Sequence, residues 1–322
     1  MTAPRRASYA LFAVLAASIV ALHLGPVLLA GLFTYMILDL TFRRLASSGM
    51  SRQFAKLGAL VTYLLTASLL IWMVVTFFSL AVHRLPIILG SLIPTIDGLA
   101  NSYGIDLPFE NLHEFRVVVL DEVKQNARSV TEASGLLTKG FFQIIVGTFV
   151  AILCFMPEPE PADKHDLFDA MRREFDQRVC VFMAGFEKIL SAQVIISLIN
   201  AVVTTVFLLA VGVPYVRFLT LTTFIFGIVP IVGNIASNTI IMGTALTVSP
   251  QLALAALGFL VVSHKAQYLL SGQILGARIN TPVWQILAGL LIGEAIMGVP
   301  GMILAPAMIH YVREELRDIP FK

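Results

Sequence analysis

Runs of about 20 apolar residues recur along this chain, each long enough to cross roughly 30 Å of hydrocarbon as a helix, and no other feature limits the possible folds so strongly. They are Ser8 to Leu24, Pro26 to Phe42, Leu57 to Val82, Phe141 to Met156, Ile189 to Val211 and Leu252 to Leu270. A bilayer offers no water to backbone amides and carbonyls, so runs of this kind are read as helices that satisfy their own hydrogen bonds. Composition agrees, since 57% hydrophobic and 13% charged residues with a mean hydropathy of +0.86 are far from the balance of a soluble domain. The expected fold class is an all-α polytopic membrane protein with about eight membrane segments. Arg5 and Arg6 precede the first run as in a signal peptide, but no small-residue cleavage site follows, and the run is read as a retained first helix. His23, Gly25 and Pro26 then make a tight turn into the second.

Orientation follows from the lysines and arginines of the short loops. Arg5 and Arg6 lie at the N-terminus, and Arg43, Arg44, Arg52 and Lys56 follow the second run with no acidic residue among them. Both regions are expected in the cytoplasm, as is the C-terminal "YVREELRDIPFK". The chain is expected to form one membrane domain over 1–322, within which 1–56 is an N-terminal helical hairpin and basic loop. Residues 83–139 are then extracytoplasmic, opening with the turn-rich "PTIDGLANSYGIDLP". They continue as an amphipathic helix whose stripe runs through Leu112, Phe115, Val119, Val123, Val130 and Leu137. Residues 157–188 form a cytoplasmic helical segment after the stiff "PEPEP", and 189–311 the transport core.

Two further runs of about 30 residues, Phe218 to Thr247 and Val283 to Tyr311, are too long and too irregular for simple spans. The first contains "FIFGIVPIVGNIASNTIIMG", where Gly227, Pro230, Gly233, Asn234 and Asn238 interrupt the middle. The second contains "LLIGEAIMGVPGMILAP", broken at Gly298, Pro300 and Gly301 and again at Pro306. Paired broken segments are the sequence pointer to discontinuous helices around a substrate site. Either both cross the membrane, or both are re-entrant helical hairpins forming an inverted pair about Leu252 to Leu270. Lys265 and Arg278 favour the hairpins, because those would place the intervening loop inside. Kinked helices packed through Gly289 and Gly293 are the plainer alternative.

No metalloprotease, phosphate-loop, nucleophile-elbow or dinucleotide motif is present, so no catalytic residue, metal or cofactor is expected, and the chain is not read as an enzyme. A net charge of +2 gives no reason to expect nucleic acid. Cys154 and Cys180 lack a ligand spacing and are read as structural or incidental. His113 and Glu114 read as a surface pair, His264 and Lys265 as interfacial anchors, and Asp39 with Arg43 as a helix-end ion pair. The candidate substrate or ion contacts are Asn200, Pro230, Gly233, Asn234, Asn238, Gln267 and Glu294. Glu294 is the only acidic residue of the last run and the candidate coupling group. Gly227, Gly276, Gly298, Pro300, Gly301 and Pro306 are the candidate hinges.

"GVPY" at Gly212 to Tyr215, "GIVPIVGN" at Gly227 to Asn234, Gln193, "GQILGARINTP" at Gly272 to Pro282 and "GVPGMILAP" at Gly298 to Pro306 together resemble the autoinducer-2 exporter family of bacterial membrane proteins. The resemblance implies a transporter of the bacterial inner membrane and a homo-oligomer, with a pentamer as one form. Members are associated with export of a quorum-sensing signal or with exchange of sodium or lithium for protons. The chain departs from the pattern at Asn238 and Gly272, where prolines are usual, and at Ala266 and Gln267, where an acidic residue followed by asparagine is common. The expected function is secondary transport of a small polar solute, coupled to protons or sodium. A cation/proton antiporter, a channel-like pore and a non-transporting assembly protein are the alternatives.

Overall fold

The apolar runs become helices in the computed structural model, which describes residues 3–102, 104, 113–114, 127–157, 167–229, 232–275 and 282–317. Ten helices are present among them: α1 (Ala3–Ala21), α2 (Gly25–Ser47), α3 (Arg52–Ser102), α4 (Ala127–Phe155), α5 (Leu167–Val211), α6 (Val216–Gly227), α7 (Val232–Leu246), α8 (Pro250–Leu275), α9 (Val283–Met297) and α10 (Val299–Arg317). Among the described residues, α2, α3, α4 and α5 each hold a stretch long and apolar enough to cross a bilayer. The chain is an all-α polytopic membrane protein. Its exposed surface fits that solvent, since Leu65, Val82, Phe149 and Leu209 are all more than 60% exposed, as suits side chains that face lipid rather than water.

One expectation fails in α3. The stretch from Pro94 to Ser102, read from sequence as turn-rich, continues the same helix, with Pro86 and Pro94 inside it. Each proline removes one backbone donor, but an apolar helix with no other partner for its backbone keeps the remaining bonds. The expected stripe from Leu112 to Leu137 lies outside the residues whose side chains are described.

The contacts divide the chain into two compact units, the first comprising Met1–Ser68, Leu137–Ser191 and Arg278–Lys322, the second Leu69–Leu136 and Ala192–Ala277. In the first, His23 takes a left-handed φ of 52° and α2 starts at Gly25 with a proline in its first turn, so the expected tight turn is present. Gly25 lets the α9–α10 connection approach, because a Cβ there would meet Met297 and Pro300 at 3.0 and 3.1 Å. Phe182, Phe186 and Leu190 of α5 pack against Leu304, Ala307 and Tyr311 of α10, with Phe12 and Leu28 closing the cluster. Tyr9 fastens α1 to this core: its hydroxyl donates to Glu315 at 2.5 Å and its ring carries the buried Arg178 guanidinium at 3.8 Å. Asp39 pairs with Arg43 at 3.1 Å as expected, and Arg43 also reaches Glu187 at 2.5 Å.

In the second unit, Phe77 of α3 stacks on Phe218 of α6, and Leu208, Leu219, Ile241 and Ala256 complete a buried core from α5 to α8. The connection into α6 bends at Gly212, with φ 72°, and at Tyr215, with φ 62°. The Tyr215 ring lies under the Arg84 guanidinium, 5.0 Å from it.

Candidate functional site

Both broken runs are helical hairpins. For α6 and α7 this follows from register. Gln193, Ser197 and Thr205 of α5 meet Gly227, Phe224 and Thr220 of α6, so these two helices are antiparallel. Asn200 and Phe207 of α5 meet Ser263 and Phe259 of α8, again antiparallel. Asn234 of α7 meets Gln267 of α8 across the short turn at 247–249, a third antiparallel pair. Helix α7 is therefore parallel to α5 and returns along α6. At 12 residues, α6 is only about 18 Å long, too short to cross by itself.

The hairpin tip leaves the last carbonyls of α6 without helical partners, a serious cost where water is scarce. Helix α5 supplies them: Gln193 Nε2 donates to the Gly227 carbonyl at 2.7 Å and Ser197 Oγ donates to the Phe224 carbonyl at 2.6 Å. Glycine is required on both sides of the tip. A Cβ on Gly227 would strike Ser197 Oγ, and one on Gly233 would overlap the Phe226 carbonyl.

Beside the tip stand the amides. Ser263 Oγ donates to Asn200 Oδ1 at 2.9 Å, and Asn234 Nδ2 donates to Gln267 Oε1 at 3.3 Å. Asn238 lies one turn along α7 from Asn234, half-buried, with no hydrogen-bond partner among the described residues. Asn200, Asn234 and Gln267 are thus brought to one level of α5, between residues 193 and 200 of its apolar part. Sequence inspection missed Ser197 and Ser263, because a lone serine in an apolar helix carries no periodic signal. Gln193 was visible only through the family resemblance. Pro230 and Gly276 lie outside the described residues.

Positions 188–293 contain no aspartate or glutamate. The site therefore carries no carboxylate: its donors and acceptors are amides and hydroxyls, with His264 and the cationic Lys265 exposed at its α8 edge.

The second hairpin, α9–α10, belongs to the first unit. Gly298 turns it with φ 64° and ψ −144°, a conformation open only to glycine, and donates its N–H to the Glu294 carbonyl at 2.7 Å. The break is narrower than sequence suggests: Val299 already begins α10, Pro300 sits in its first turn where no donor is needed, and Pro306 lies inside the helix. Gly289 and Gly293 face Ile309, Ala305 and Gly301, a seam of small residues that lets two backbones touch. The Glu294 side chain is exposed and meets no cation among the described residues.

The sequence pattern described as AI-2E family transporter matches residues 8–319. The chain belongs to the AI-2E transporter family. It is accordingly a multi-pass membrane transporter. No curated protein matches it. In this AI-2E transporter, the motif residues Gln193, Gly227, Gly233 and Asn234 are the ones that close and line the α6–α7 tip.

Proposed function

We propose that this AI-2E transporter moves a small, polar, uncharged solute by secondary transport, contacting it through Asn200, Asn234, Asn238 and Gln267. The carrying observation is the gathering of these amides beside a hairpin tip in an apolar unit, within a stretch free of carboxylates. An amide in a membrane costs free energy unless it is bonded, so several at one level support a site that exchanges internal partners for those of a solute. Amides offer both donors and acceptors without charge, which favours hydroxyl- or carbonyl-bearing solutes over ions. The glycines and prolines of the two hairpins serve as hinges, and Glu294 as the coupling group, in a bacterial inner membrane with both termini cytoplasmic.

Flux in proteoliposomes, with and without imposed proton and sodium gradients, tests this. Gradient-driven solute movement is expected, and Asn200→Ala or Asn234→Ala should each lower it about tenfold, the worth of one hydrogen bond to substrate. Movement indifferent to both gradients would indicate a pore instead. Unaltered flux in both asparagine variants would sink the site. Glu294→Gln should abolish the response to the gradient, and an unchanged response removes Glu294 from the mechanism.

A further inference from the structure

The turn between α2 and α3 carries an apolar cleft of about 700 Å³, a size that suits a small organic ligand. Leu45, Met50, Phe54, Leu57 and Val61 form its walls, with Gly58 at its floor. Phe54 and Leu57 are 66% and 57% exposed, and the apolar face continues along α3 through Leu64 and Leu65. A broadly open apolar groove that continues onto an apolar helix face can take an acyl chain along it.

The turn that carries it is rich in positive charge. The cations of this turn divide into two classes. Arg43 is neutralised by Asp39 and Glu187, and the Lys56 ammonium donates to the Met156 carbonyl at 2.7 Å. Arg44 and Arg52 are exposed and have no partner among the described residues. They flank the cleft in sequence, one beside Leu45 and the other two residues before Phe54. The first turn of α3 adds N–H groups without helical acceptors, since its first backbone bond runs from Ala55 to Ser51. Two exposed, unpaired guanidinium groups on the turn that carries an apolar groove complement one ligand class, a lipid with net negative charge.

We propose that this cleft binds an anionic phospholipid, with an acyl chain along Leu57 and Val61 and the phosphate between Arg44 and Arg52. The head group's net charge decides the preference, because a choline or ethanolamine ammonium would bring a third cation to the arginines. The site shares no residue with the amides of the second unit and does not depend on which solute is carried.

Native mass spectrometry of the full chain released from vesicles of mixed phosphatidylglycerol and phosphatidylcholine tests the proposal. The unaltered protein should retain phosphatidylglycerol in preference, and the double variant Arg44→Gln, Arg52→Gln should reduce that preference by roughly thirtyfold, as expected for two surface cations. Val61→Trp, which fills the cleft from an exposed position, should remove the retained lipid with both arginines intact. Equal retention of the two lipids by the unaltered protein overturns the proposal, as does a preference that survives the arginine substitutions. A disulfide formed between two copies through Val61→Cys also overturns it, because the cleft would then be a subunit interface.

Discussion

At the residue scale, the costs set by Gly227 and Ser197 explain why the tip of the α6–α7 hairpin tolerates so little change. Ser197 is fully buried, its hydroxyl is committed to the Phe224 carbonyl, and a Cβ on Gly227 would lie 2.5 Å from that hydroxyl. Gly227→Ala is expected to destabilise by about 1–3 kcal/mol through overpacking. Ser197→Ala alone should cost about 1 kcal/mol by leaving a carbonyl short of a donor. The double variant should cost less than the sum, because the oxygen that clashes is the one removed. Thermal or denaturant unfolding in detergent measures all three, and strict additivity would show that the two residues do not share one space. Much of this was legible: "GIVPIVGN" marks the break. The serine that fits against the glycine was not, since it lies 30 positions earlier on another helix.

At the element scale, each hairpin is held by contacts that a straight span could not make. In α9–α10 the seam is Gly289 and Gly293 against Gly301 and Ala305, a small-residue pattern on each helix that permits backbone contact. Gly293→Leu should force the pair apart and cost about 1–3 kcal/mol or more. Gly258→Leu on α8 is the matched control, since nothing lies within 4 Å of a Cβ there, and it should not destabilise, leucine being the better helix former by up to about 1 kcal/mol. Equal losses from the two substitutions, read as unfolding temperatures, would show that the seam contributes nothing. The plainer sequence alternative placed Gly289 and Gly293 at a helix interface, and that much holds, but the partner is the next helix of the same run, reached by the turn at Gly298.

At the scale of the whole molecule, hairpins fix which loops share a side of the membrane. The turn at Gly212 and the turn at Ser249 bracket α6–α7, so cysteines placed at these two positions, after replacement of the exposed Cys154 and Cys180, should react with an impermeant reagent from the same side. Labelling from opposite sides would restore a continuous crossing and refute the hairpin. What the sequence determined by itself is the solvent and the element type: apolar runs of about 20 residues leave helices as the way to satisfy a backbone in hydrocarbon, and glycine and proline mark where those helices must stop. That both broken runs turn back, and which side chains meet at the turns, only the tertiary structure decided. Asn200 and Ser263, Asn234 and Gln267, and Gln193 and the Gly227 carbonyl are pairs separated by 63, 33 and 34 positions. A polar residue in an apolar run shows that some partner must exist, because an unbonded amide is too costly there. Its identity depends on helix register and direction, which arise from packing and leave no periodic trace along the chain.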